Sequence, residues 1–227
     1  ASAALAPAAR LAWSALLVAA VRDGRLGAGA LGAAVRPTCR DGMVRVTLDL
    51  AAGGGDYDPC DEGQVRRLTA EARESAEMLT DFLRREATGF EKAEGCSWPE
   101  RIGIRESRRV MGRHVITANE VLSGVVPEDT VCFSFWPLEW HEAGAAMRLV
   151  YPDNGAACGV PLRALRSQDA DNVFLAGRCL SATHEAQAAL RVIGTSMATG
   201  QAAGHAAACL SRGADVDAAA ILEACAR

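Results

Sequence analysis

The chain has 227 residues, half of them apolar, and a formal net charge of −4. That length accommodates one large domain or two small ones and buries a substantial core. The slightly acidic balance excludes an electrostatic case for binding nucleic acid or an anionic membrane.

Residues 3–21 read as an Ala-rich helix that Arg22-Asp23-Gly24 ends. Its apolar part, 11–21, is too short to span a bilayer and lacks the basic start and cleavage site of a secretory leader. Gly27-Ala28-Gly29-Ala30-Leu31-Gly32 follows the dinucleotide fingerprint G-x-G-x-x-G literally, with Asp49 at a suggestive distance. The fingerprint requires a buried strand before it and a helix opening from it. Here Arg22-Asp23-Gly24-Arg25 precedes and Pro37 cuts short any helix that follows, so the run reads as a flexible connection. Residues 43–50 alternate, with Val44, Val46, Leu48 and Leu50 inward, as in a half-buried strand. Asp61 and Gln64 stand at capping-box spacing. Val65, Leu68, Ala72, Ala76, Leu79 and Phe82 then recur at helical period through 64–86, with Gly89 as a stop.

Residues 101–110 carry four arginines and Glu106, and read as a strand with Arg105 opposite Ile102 and Ile104. Thr117 and Glu120 cap a helix starting near Ala118. Strands are expected at 131–136, 147–151 and 157–165, with an aromatic loop at 136–142 that contains His141. Val173-Phe174-Leu175-Ala176 reads as a short buried strand ended by Gly177. A second apolar run, 188–193, leads into Gly194-Thr195-Ser196 and a long helix. Gly200, Ala203, Gly204 and Ala207 leave one face of that helix nearly bare. Its start offers unpaired N–H groups and the positive end of a dipole, which favour an anion or developing negative charge. A last helix is expected over 215–225. The eight cysteines form no Cys-x-x-Cys pair and no zinc-spaced cluster with histidine. They read as reduced, mostly buried thiols of a cytoplasmic protein.

Two stretches carry a family resemblance. The first comprises 172–178, Ser181-Ala182-Thr183-His184-Glu185-Ala186, Arg191-Val192 and 198–204. The second is the upstream segment 102–112. Together they resemble the signatures of a family of FAD-dependent oxidoreductases, over roughly 44–212. The resemblance implies a mixed α/β fold and FAD as cofactor. It also implies a Rossmann-type N-terminal half that holds the ADP portion, and no strand–fingerprint–helix unit for it occurs in this sequence. The chain, which begins without methionine, is therefore expected to be a fragment: a substrate-side domain over 1–165 and the C-terminal portion of the cofactor domain over 166–227. Alone it is expected to bind FAD weakly and not to turn over. The missing half would be its partner, and the surface that half should cover invites self-association.

The resemblance also distributes roles. Gly177 and Arg178 fall beside the ribityl-phosphate portion of FAD, and Arg191 flanks the same region. Gly194, Thr195, Ser196 and Met197 form the helix start aimed at the flavin's N1 and O2 edge. Arg105, His141 and His184 are the candidates for the substrate side, with Glu106 bracing an arginine. Two other readings compete. One is a non-catalytic module that binds a partner chain. The other is a serine hydrolase, since Gly194-Thr195-Ser196-Met197-Ala198 nearly matches G-x-S-x-G. The last glycine is absent, and the order Ser196, His205, Asp215 is not the hydrolase order.

Overall fold

A computed structural model describes residues 7–50, 57–140 and 147–225, with side chains from residue 12 onward in the first stretch. These residues form seven α-helices and six short strands, a mixed α/β fold. The strands pair as three two-stranded antiparallel ladders. The chain divides into two units: one runs to Gly103, and the other comprises Ile104–Trp140 and the chain from Arg148 onward.

The first unit holds α1 (Pro7–Arg22), a 3-10 turn (Ala28–Gly32), β1 (Ala34–Pro37), β2 (Val44–Thr47) and α2 (Glu62–Glu86). Asp61 starts α2 as expected. Its carboxylate accepts from the N–H groups of Gly63 and Gln64 at 2.8 and 3.1 Å. Those bonds hold the carboxyl below its usual range. The apolar stripe of α2 buries Leu79, Phe82 and Leu83 against Leu17, Ala20, Ala30 and Val35. The strand expected at 43–50 is shorter, and Val46 is exposed rather than inward. It lies opposite Val35 in a ladder that has no third strand to cover it.

The second unit is built on β3 (Thr130–Ser134) paired with β6 (Cys158–Pro161), with β4 (Leu138–Trp140) paired with β5 (Arg148–Val150). Three helices pack on these ladders: α5 (His184–Leu190) against β4, and α6 (Ile193–Ser211) and α7 (Ala218–Cys225) against β3. Val131, Val160, Leu165, Leu180, Leu190 and Ala206 form the core between them. The short helix α3 (Ala118–Leu122) opens with the complete capping box read from Thr117 and Glu120.

Four expectations change here. Residues 101–110 form no strand; Ile102 N–H donates to Thr69 Oγ1 on α2, while the Ile104 and Arg105 carbonyls and Val110 N–H bond to Arg178, Gln187 and Cys179. The run 157–165 is interrupted after Pro161 by a one-turn helix, α4 (Leu162–Leu165). The segment 173–176 keeps only the pairing of Leu175 and Val173 with Leu165 and Ser167. The cysteines are all free, but four of them (Cys39, Cys60, Cys96 and Cys179) are exposed and only Cys132 and Cys158 are buried. Burial pushes those two thiols up, to about 12 and about 11, so they are inert packing groups. Among the described residues no helix is long and apolar enough to cross a membrane, and no group of three metal-ligating side chains converges.

Candidate functional site

The site grows from one residue that must be glycine. Gly177 has φ +64°, a left-handed conformation that glycine adopts without strain. A Cβ added there would meet only Ser196, at 3.6 Å, so the backbone angle rather than space demands glycine. Its N–H donates to Thr199 Oγ1 at 3.0 Å, and the Thr199 hydroxyl donates back to the Thr195 carbonyl at 2.9 Å. Thr199 is fully buried on α6. The turn at 177 is thus tied to the first turns of the helix that follows it.

The charged segment from Ile104 lies on that turn. The Arg178 guanidinium donates to the Ile104 carbonyl. The Gln187 amide donates to the Arg105 carbonyl at 3.2 Å and the Arg178 carbonyl at 3.3 Å. Val110 N–H donates to the Cys179 carbonyl at 3.0 Å. Two segments about 70–80 residues apart in sequence are therefore joined by polar contacts. Gln187 is buried at the centre of them and was not anticipated. The available signal was a lone amide among the alanines of 186–189, on a helix face otherwise fit only for packing.

Charges gather on the same surface. One oxygen of Glu106 accepts from Arg109 at 2.5 Å, and the other meets His184 Nδ1. Arg191 and Glu139 pair at 2.6 Å, both largely buried, and Trp136 Nε1 donates to the second Glu139 oxygen at 3.0 Å. Burial disfavours the Arg191 charge and Glu139 supports it. The charge of Arg105 opposes it as well, so the arginine sits below its usual value. Arg105 and Arg191 are therefore within electrostatic reach of each other.

The start of α6 completes the arrangement. Val192 is its N-cap and supplies no side-chain cap. The first intrahelical N–H is that of Ser196, bonded to the Val192 carbonyl at 2.8 Å. The N–H groups of Ile193, Gly194 and Thr195 thus have no acceptor within the helix. Ile193 is 80% exposed and Met197 71% exposed, with Phe135 also exposed. Unpaired donors at a positive helix end beside an apolar surface suit a flat ring with a polar, electron-accepting edge. The donor set therefore fits the flavin end of FAD.

Arg105, Gly177, Arg178, His184, Arg191, Gly194, Thr195, Ser196 and Met197 all fall in this one region of the second unit. Arg191 directs its guanidinium to Glu139, and the Ser196 hydroxyl donates to the Arg191 carbonyl at 3.1 Å. His141 lies outside the described residues. The hydrolase arrangement is not formed. Ser196 and His205 share α6 nine residues apart, roughly 14 Å along its axis at the helical rise.

The fingerprint-like run 27–32 is a 3-10 turn that opens into strand β1, not into a helix. A Cβ at Gly32 would lie 2.5 Å from Asp49 Cβ and one at Gly29 3.3 Å from the Asp49 carbonyl oxygen, so these two glycines serve close packing. Two cavities, of about 260 Å³ on α2 beside Trp98 and about 30 Å³ beside this turn, are lined by none of the candidate residues.

A family model described as FAD dependent oxidoreductase matches residues 24–223. Comparison with curated proteins and with solved structures gives no match.

Proposed function

The chain belongs to the FAD-dependent oxidoreductase family, whose cofactor is FAD, and we propose that it supplies the flavin-ring and substrate side of an enzyme transferring hydride between a small organic substrate and the flavin. The observation that carries this reading is the joining of the 104–110 segment to the 177–197 segment through Gln187, Arg178 and Glu106. It supports a reading in which the helix N–H donors and the His184 imidazole serve the same site.

When bound, FAD takes up a hydride at N5 and gathers negative charge near N1 and O2. The unpaired N–H groups of Ile193, Gly194 and Thr195 offer that charge fixed donors. Such donors are in place before reaction and cost no reorganisation when the charge develops. Gly177 and Arg178 would hold the ribityl-phosphate portion, with Arg191 in support. Ile193 and Met197 give the ring an apolar bed that excludes water. Arg105 orients an anionic group of the substrate, and His184 and His141 are the proton-handling candidates.

The ADP portion is held by a Rossmann-type half outside this site. The turn at 27–32 is not a candidate for it, because it opens a strand and Asp49 fills the space at Gly29 and Gly32. That half is the partner this surface fits. The exposure of Ile193, Met197 and Phe135 also favours a second reading, a module that associates with a partner chain without catalysis.

A visible spectrum of the purified chain, before and after excess FAD and desalting, tests the division of labour. A colourless chain is expected. Retained flavin bands would mean that these residues hold the whole cofactor without another half. In the complete enzyme, alanine at His184 and at His141 should slow flavin reduction. Unchanged reduction in both would remove these residues from the mechanism.

A further inference from the structure

His184 and Glu106 are 78 residues apart in sequence, yet the imidazole Nδ1 and a carboxylate oxygen share a hydrogen bond. The two groups are unequally placed. The Glu106 side chain is only 21% exposed, whereas that of His184 is 68% exposed. Glu106 is fixed from behind, because its other oxygen accepts from Arg109. A carboxylate that already accepts from a guanidinium is an acceptor on its second oxygen too. Nδ1 must then carry the proton, which leaves the lone pair of a neutral imidazole on Nε2. His184 is the first residue of α5, whose N-cap Thr183 accepts from Ala186 N–H at 3.3 Å. The backbone of the histidine is thus fixed as firmly as its ring.

We propose that Glu106 is the positioning residue for His184, holding the proton on Nδ1 and presenting Nε2 at the exposed surface as a proton acceptor. The inference deepens the reading of His184 given above and rests on it for its functional meaning. The charged groups around the ring are Glu106 and Arg109 from the 104–111 segment and Glu185 from α5 itself. Glu185 is held below its usual range first by its own backbone N–H and then by the Thr183 side chain, with His184 and Arg109 adding attraction. It is a second carboxylate near the imidazole, so the test must separate the two.

The test is a nitrogen-15 NMR measurement of the histidine ring tautomers in the 227-residue chain, above the pH at which the imidazoles are neutral. The four histidines are few enough to assign, His184 by loss of its signals in H184N. The wild-type ring should be mostly Nδ1–H. Glu106→Ala should shift the majority to Nε2–H, whereas Glu185→Ala should leave it unchanged. A wild-type ring that is mostly Nε2–H would overturn the proposal. So would a ring that keeps Nδ1–H in Glu106→Ala, or loses it in Glu185→Ala. If Glu106→Ala does not fold, the wild-type spectrum decides alone. No flavin or substrate is needed. Failure of this assignment is therefore distinct from failure of the proton-handling role given to His184, which the effect of His184→Ala on flavin reduction tests.

Discussion

At Gly29 and Gly32 the space a side chain would occupy is taken by Asp49. At Gly194, Gly200 and Gly204 it is left open, with nothing within 4 Å of an added Cβ. Both stretches are glycine-rich, and the first fits a cofactor fingerprint better. The second leaves more room, with three open glycines against Gly27 alone in the first. In the turn the glycines are used up by folding, since they let the β2–α2 connection pass close to the 3-10 turn. On α6 they lower helix propensity and return no contact within the chain. A glycine motif therefore marks a site when its space is empty, and marks a packing joint when it is full.

This contrast can be broken by substitution. Gly32→Ala should have the largest effect. Its Cβ meets Asp49 at 2.5 Å, and overpacking of this kind costs up to about 3 kcal/mol. A lowered urea midpoint is the readout, and an unchanged midpoint would show that the joint is loose. Thr199→Val comes next. It leaves the Gly177 N–H without its buried acceptor, a loss of about 1–2 kcal/mol. It should also speed amide exchange at Gly177, which a purely apolar packing role for Thr199 would not do. Gly200→Ala should have the smallest effect and the opposite sign. In an open helical position alanine is favoured by roughly 0.8–1 kcal/mol, so the midpoint should rise. A fall would mean that the α6 face is already occupied.

Much of this was readable in sequence where a local rule operates. The caps at Asp61 and Thr117 and the stripe of α2 follow from spacing alone, because capping and helical period act within a few residues. The long helix opening near Gly194 was legible from its apolar lead-in, and the mixed fold class came with the family resemblance. The segment 101–110 was misread as a strand because its alternation is real, but among the described residues no strand pairs with it. Its partners, Gln187 and Arg178, lie some 80 residues away, and no local pattern announces them. The exposed cysteines were misjudged for a related reason. Cysteine is buried on average, and its place in one fold depends on which face its element turns outward. The candidate site residues were found mainly through family resemblance. Their mutual contacts, above all Glu106 with His184 and Arg191 with Glu139, needed the structure.

The central claim is that the flavin end of FAD, ribityl portion and ring, is held by the turn at Gly177 and the start of α6, not by the turn at Gly32. The most direct measurement is a two-dimensional nitrogen-15 amide spectrum of the chain titrated with FAD, which detects even weak binding residue by residue. The account predicts shifts concentrated at Gly177–Cys179 and at residues 193–197, with residues 27–32 silent. Shifts centred on 27–32, or no shifts anywhere at millimolar FAD, would contradict it.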